Sequence, residues 1–335
     1  MKIKGIVLFS GGLDSRLVIK ILKEQKIDLT ALYFILPFGT GCCADKICVF
    51  NFTQVEGVPI KFIDCTKGKL FKEYLEIVKK PKFGYGSGLN PCLDCRIFML
   101  KKAKAMLKKN SGGHFRVPRA IRRGLCYSGA DFIATGEVLG ERPMSQNLRA
   151  LKLIEKETGL ENKILRPLSA KLLPETEVEK RGLIDRKKLL AISGRRRLPQ
   201  MELAKKYGLK NYPSPAGGCL LCDQEFVKRF KAMLNNFGKI DENDAKLLKL
   251  GRHFWYNLLG QFVLIVVGRN HQENLEIKKL AKKGDVLIEL KDTPGPTTLI
   301  RGKKISKEAI KKAKKLTKKY AKKAKRKVLF EILPK

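Results

Sequence analysis

The chain has 335 residues, 44% of them hydrophobic and 31% charged, which excludes a mostly disordered polypeptide and allows about two domains with cores of their own. Lys and Arg number 71 against 32 Asp and Glu, a net charge of +39. That excess points to a polyanionic partner, nucleic acid before membrane surface; a heat-adapted surface would balance Lys with Glu, as this sequence does not.

In chain order, Ile3 to Phe9 reads as a buried strand and Asp14 to Glu24 as a helix with Leu17, Val18, Ile21 and Leu22 on one face. Leu29–Leu36 predicts a second strand, 45–55 a helix, Ile60–Asp64 a third strand, 71–78 a helix and Asp131–Thr135 a fourth strand. This alternation predicts an α/β domain: a parallel sheet with helices on both faces, binding ligands at the carboxyl ends of its strands. The segment 110–129, with Arg116, Arg119, Arg122 and Arg123 among glycines and Pro118, reads as a basic surface stretch. A boundary is expected between 235 and 245, giving domains 1–235 and 245–335. Beyond it, Phe262–Val267 and Val286–Leu290 read as strands, 307–325 as a Lys-rich helix and 328–332 as a last strand, so the second domain is expected to be a smaller α+β unit. No apolar run approaches the ~20 residues of a membrane span, and the opening MKIKGIVLFSGG is too short a stretch for a signal peptide, so the expected location is the cytoplasm.

Ser10-Gly11-Gly12-Leu13-Asp14-Ser15 lies between the first strand and the first helix. Glycines let successive amides point into one concavity, the helix start adds partial positive charge, and two serines add hydroxyls, which together make a phosphate cradle. The motif lacks both the G-x-G-x-x-G of dinucleotide folds and the G-K-[ST] of Walker loops. The bland alternative is an ordinary strand–helix turn with capping residues.

Of nine cysteines, four form two C-x-x-C pairs, Cys92/Cys95 in NPCLDC and Cys219/Cys222 in GGCLLC. Each pair offers two thiolates on one turn, and only the tertiary fold can bring the pairs together. Three readings stay open: a structural Zn²⁺ on four thiolates, an iron–sulfur cluster on three, or a persulfide-carrying pair. Cys65 and Cys126 read as core residues, and Cys42, Cys43 and Cys48 as residues of a helix start. Of the histidines 114, 253 and 271, none has an evident partner.

SGGLDS resembles the PP-loop of the ATP pyrophosphatases, which cleave ATP to AMP and pyrophosphate. NPCLDCR, ILRPLSAK at 164–171 and DFIATGE at 131–137 are similar to segments of the PP-loop tRNA thiouridylases, the 4-thiouridine and 2-thiouridine enzymes, over roughly residues 1–230. The resemblance implies an adenine nucleotide alpha hydrolase-like fold and an ATP-dependent tRNA sulfurtransferase. It implies ATP on Phe9, Ser10, Gly11, Gly12, Asp14, Ser15, Tyr33 and Gly136, with Mg²⁺ at the phosphates. It makes Asp14, Cys95 and Cys219 the catalytic residues and Cys92, Cys95, Cys219 and Cys222 the metal-binding set. A [4Fe–4S] cluster is its favoured cofactor, with Zn²⁺ or a persulfide pair as alternatives. A cysteine desulfurase or inorganic sulfide would donate the sulfur. Arg166 and Lys171 are read either as phosphate contacts or as solvated charges.

Fifteen basic residues and a single acid, Glu308, occupy 301–327. On a helix, Ile310, Ala313, Leu316, Ala321 and Ala324 make a narrow apolar stripe and lysines cover the rest. Like charges at i, i+4 repel, so such density suits a polyanion more than a solvated face. VVGRNHQEN with the later PGP resembles the NFACT-type RNA-binding domain over about 250–332. Arg122, Arg123, Arg195, Arg196, Arg269, Lys311, Lys315, Lys318 and Lys322 are the expected tRNA contacts, with Arg197 continuing the 195–196 run. The rival readings are a PP-loop amidotransferase or ligase acting on a small molecule, and a non-catalytic RNA-binding protein stapled by zinc.

Overall fold

In a computed structural model, residues 3–39, 46–107, 129–210, 212, 218–258, 260–291, 293–321 and 329–335 are described. They divide into two compact units, Met1–Cys222 and Asp223–Lys335. The division falls at the Cys222–Asp223 junction, ahead of the 235–245 boundary expected from composition, because the Asn- and Gly-rich stretch there is a turn between two helices of the second unit.

The first unit contains β1 (Lys4–Leu8), α1 (Leu13–Glu24), β2 (Asp28–Ile35), α2 (Lys46–Val55), β3 (Ile60–Asp64), α3 (Gly68–Lys79), α4 (Cys92–Lys104) and β4 (Phe132–Thr135). There follow α5 (Leu148–Thr158), β5 (Ile164–Leu165), α6 (Glu177–Lys180) and α7 (Leu198–Lys206). The sheet order is β3-β2-β1-β4-β5, and every pairing is parallel. The strands are apolar on both faces, as a doubly covered parallel sheet requires. Val7, Ala31, Tyr33, Phe132 and Ala134 pack with α1, while Ile6, Leu32 and Ile133 are buried on the opposite side. There Tyr74 of α3 meets Phe98 of α4 edge-on at 5.7 Å, and α4 packs on α5.

Strand order reverses at β1. The chain winds outward through β2 and β3, then returns to lay β4 on the other side of β1. The carboxyl ends of β1 and β4 therefore diverge into a crevice, the position where such sheets bind ligands. The expected parallel sheet and its first four strands are all present. Sequence reasoning missed β5, α5 and α7. The two residues of β5 are too few for periodicity to register, and α7 buries only Gln200 and Ala204, whereas α5 carries usable signals in its Asn147 N-cap, its apolar face and Gly159 at its end.

The second unit opens with α8 (Gln224–Phe237) and α9 (Glu242–Leu247). An antiparallel sheet of β6 (Arg252–Leu258), β7 (Gln261–Val267), β8 (Val286–Leu290), β9 (Thr298–Gly302) and β10 (Phe330–Pro334) follows, with α10 (His271–Leu280) after β7 and α11 (Lys307–Tyr320) after β9. Its order is β10-β8-β9-β7-β6. Val263, Ile265, Val267, Ile288 and Ile300 form one face of the core with Ala309, Ala313 and Leu316 of α11. The stripe on α11 is rotated from the expected one: Ala309 and Thr317 are buried and Ile310 is only partly so. Thr317 donates to Ala313 O and pairs with Thr298 Oγ1 at 2.7 Å, which draws that edge of the helix onto β9. Among the described residues no helix is long and apolar enough to cross a membrane.

Candidate functional site

The SGGLDS segment forms the turn from β1 into α1, as its spacing predicts. Gly12 is the N-cap and offers no side-chain acceptor, so the first amides of α1 face the crevice. Ser15 Oγ donates to Gly12 O at 2.9 Å, and Ser10 Oγ lies 3.4 Å from both Ser15 Oγ and the Gly12 amide. Arg16 is turned away beneath the loop, its Nε donating to Gly11 O at 2.8 Å. Gly136, at the end of β4, closes the far side: a Cβ there would stand 2.8 Å from Ser15 N and 2.9 Å from the Asp14 carbonyl carbon. No other residue lets β4 approach the loop so closely.

The crevice encloses about 310 Å³, of the order of a small ligand pocket. Phe9, Ser10, Gly12, Asp14, Ser15 and Gly136 line one end of it, and Leu32, Tyr33 and Phe34 of β2 form an apolar wall. At the other end stand Cys92, Cys95 and Cys219. Two residue sets far apart in sequence, one suited to phosphate and one made of thiols, thus share one cavity.

The thiols arrive by backbone pairing. Cys92 and Cys95 occupy the first turn of α4, which starts at Cys92 rather than after the motif. The carboxylate of Asp94, between them, accepts from the amides of Lys82 (3.0 Å) and Phe83 (3.1 Å) and fixes the preceding loop. The Cys219–Cys222 segment is held on both sides: Leu220 N donates to Phe38 O at 2.9 Å, and Leu89 N donates to Leu221 O at 2.8 Å. Asn90 Nδ2 donates to Cys222 Sγ at 3.0 Å, and Tyr74 Oη lies 3.7 Å from Cys95 Sγ. These are the outer hydrogen bonds that suit sulfur ligands. Burial pushes the Cys95 thiol up to about 11, against its hydrogen bond to Tyr74, and that of Cys219 up to about 12; burial and then the Cys222 thiol raise Cys92.

Among the described residues no three His, Cys, Asp or Glu side chains stand close enough to ligate one ion. Cys92, Cys95 and Cys219 on one cavity are a soft thiol donor set that suits a thiolate-bound metal, as Zn²⁺ or as an iron–sulfur cluster.

Asp14 projects into the cavity. Its Oδ2 accepts from Arg197 Nη2 at 3.0 Å, while Oδ1 is buried with no hydrogen-bond partner. Burial raises its pKa, against the pull of Arg197 and Arg142. Glu141 lies 3.6 Å from Arg197 Nε, and burial followed by the Asp14 charge raises it too. Gln146 Oε1, also on the cavity, is likewise buried without a hydrogen bond. Sequence reasoning missed Glu141 and Arg142, whose only signal is that they follow the strand-four segment. It also placed Arg197 on the RNA path; the structure turns it inward, while Arg195 and Arg196 are exposed.

A buried network supports the cavity floor. Glu137 accepts from Arg166 Nε at 3.0 Å and pairs with Arg96 Nε at 3.1 Å. Burial works to raise Glu137, but Arg96, Arg166 and Thr135 hold it below its ordinary value. Arg166 also pairs with Glu155 and is 4% exposed, so it is neither a phosphate contact nor a solvated charge. Lys171 donates to Lys187 O and is exposed. Cys65 is fully buried, as expected of a core residue. Cys42, Cys43, Cys126, His114, Arg122, Arg123 and Lys322 lie outside the described residues.

In the second unit, VVGRNHQEN proves architectural. Asn270 caps α10 by accepting from Glu273 N at 2.9 Å. Glu273 accepts from the amides of Gly251 and Arg269 and from the Arg269 guanidinium, which also donates to Lys249 O. Asn274 joins Gly295 O and Thr297 N, tying the motif to the PGP loop. Any Cβ on Gly268 would fall 2.0 Å from Asn274 Oδ1. Arg269, expected to touch RNA, is thus engaged by Glu273, and Arg301 is buried. Lys311, Lys315 and Lys318 are exposed on α11, on the face opposite its buried stripe.

Residues 251–333 match the NFACT protein RNA binding domain family, in agreement with the resemblance carried by VVGRN and PGP. No curated protein matches the chain. Among solved structures, the U34-tRNA thiolase NcsA from Methanococcus maripaludis with its [4Fe-4S] cluster is similar over 74% of this chain and 73% of its own, at 17% identity and a TM-score of 0.33. A predicted subunit of tRNA methyltransferase from Methanocaldococcus jannaschii is similar over 54% of this chain and 74% of its own, at 15% identity and a TM-score of 0.31. Both are distant likenesses.

Proposed function

We propose that this protein is an ATP-dependent tRNA sulfurtransferase that replaces a uridine carbonyl oxygen by sulfur. One observation carries the reading: the SGGLDS cradle and the thiols of Cys92, Cys95 and Cys219 line a single cavity. The RNA-binding match over 251–333 and the charge of +39 supply the macromolecular partner.

The chemistry needs both ends of that cavity. Oxide is a poor leaving group, so the uridine oxygen first attacks the α-phosphorus of ATP and pyrophosphate departs. The amides opening α1 and the hydroxyls of Ser10 and Ser15 receive the pyrophosphate, with Arg142 and Arg197 opposing its charge. Leu32, Tyr33 and Phe34 provide the apolar wall for adenine. A sulfur nucleophile at the hydrosulfide level then attacks the ring carbon, its proton leaves to solvent, and the oxygen departs with AMP, so the exchange needs no oxidant or reductant. No histidine base is needed for such a nucleophile. Asp14 and Glu141 would hold Mg²⁺, which would neutralise phosphate charge. Cys92, Cys95 and Cys219 or Cys222 would hold a [4Fe–4S] cluster, which would supply an iron site for the incoming sulfur.

The test is anaerobic incubation of the iron-loaded protein with ATP, sulfide and unmodified tRNA, followed by mass spectrometry of the nucleosides. Thiouridine should appear, and D14A should lower its formation and AMP release about 100-fold or more. AMP release without thiouridine would redirect the assignment to a PP-loop ligase of small molecules.

A further inference from the structure

The Arg195–Arg197 run has two destinations. Arg195 and Arg196 are exposed, whereas Arg197 reaches the floor of the cavity, where its side chain is 16% exposed. There the guanidinium is only partly used. Nη2 bonds Asp14 at 3.0 Å, but Nε is buried without a hydrogen bond, with Glu141 at 3.6 Å. Its partner is equally incomplete, since Asp14 Oδ1 also lacks one. One guanidinium is therefore shared between two carboxylates, and a buried donor and a buried acceptor remain unused beside a phosphate cradle.

This is an arrangement suited to exchange. A phosphate accepts planar, paired N–H donors, and a carboxylate competes for the same donors. We propose that Arg197 is a phosphate-binding residue of the nucleotide site, parked on Asp14 and Glu141 until the phosphates arrive. On binding, the guanidinium passes to phosphate oxygens and the two carboxylates are freed for the cation that accompanies the nucleotide. The ion pair then acts as an internal stand-in: without a cation, Asp14 both holds Arg197 and repels the triphosphate. This inference rests on the assignment of the cavity to ATP.

The full-length protein is titrated calorimetrically with ATP and with adenosine, each in Mg²⁺ and in EDTA. Wild type should bind MgATP more tightly than ATP in EDTA. R197Q should weaken MgATP by roughly 10- to 100-fold and leave adenosine within about twofold, with R197K in between. D14N, which releases the guanidinium and removes a repelling charge, should tighten ATP binding in EDTA. Equal losses for ATP and adenosine in R197Q would make Arg197 a structural support and overturn the inference, as would wild-type MgATP affinity in R197Q. Failure of the wild type to bind either ligand would instead overturn the ATP assignment itself.

Discussion

Each unit contains an arginine shared by two carboxylates, and the two groupings are built to opposite ends. In the second unit, Arg301 donates from Nε and Nη2 to Asp285, from Nη1 to Asp244 and Asn243, and from Nη2 to Leu280 O. Every guanidinium nitrogen is used, and Lys282 completes the charge around Asp244. In the first unit, Arg197 and Asp14 each leave a buried atom without a partner and face a cavity. A closed grouping holds a fold together; an open one keeps a place for something else. The same residue types therefore carry different meanings, and the difference lies in whether the hydrogen bonds close.

The sharpest way to break this comparison is to cut Arg301. R301A leaves Asp285 and Asp244 buried without their counter-charge, and should destabilise the second unit by about 3–5 kcal/mol in denaturant unfolding. ATP binding to the first unit should survive at temperatures where both units remain folded. Loss of less than about 1 kcal/mol would show that the closed grouping is not structural.

A second measure sharpens it through pH. His253 Nε2 lies 3.0 Å from Leu250 O and 3.3 Å from Leu247 O. Burial, with Arg229 nearby, holds its pKa down to about 4, against those carbonyl contacts. The unfolded chain binds the proton near 6.5 and the folded unit does not. Stability from this group is therefore present above about pH 6.5 and falls as pH drops toward 4, by up to roughly 3 kcal/mol. Unfolding curves at pH 7 and 4.5 should show the drop, and H253Q should flatten it. An unchanged slope in H253Q would assign the pH dependence to the carboxylates instead.

The smallest expected effect falls on α11. Replacing Lys311, Lys315 and Lys318 singly by Ala should weaken tRNA binding only a few-fold each, and each should lower the salt slope by about 0.7–0.9, evenly across tRNA sequences. If the salt slope does not move, the phosphate path runs elsewhere.

The regular parts of this fold were legible because periodicity and glycine placement are local. β1 through β4, the cradle at Ser10–Ser15 and the long basic helix all follow from residues near one another. The site was legible only in halves. Nothing in the sequence around Arg197 distinguishes it from Arg195 and Arg196; the 193–194 backbone, paired to Leu139, decides which one turns inward. Arg269 shows the converse: in a chain this basic, an arginine committed to a neighbouring Glu273 looks like any other, and its pairing is visible only in the fold. The same holds for Arg301, counted in the basic tract yet buried against Asp244 and Asp285.

The bridge between Gly39 and Cys219 has a consequence for biosynthesis. A ribosome delivers the phosphate cradle first and the second thiol pair last, with nearly the whole first unit between them. The cradle can be made early, but the sulfur end is completed only when residues 219–222 have cleared the exit tunnel and docked on the loops at Phe38 and Leu89. A nascent or truncated chain would therefore hold the cradle, the wall on β2 and Cys92 with Cys95 but lack Cys219, and the order of synthesis itself delays closure of that end of the cavity until the surrounding fold is in place.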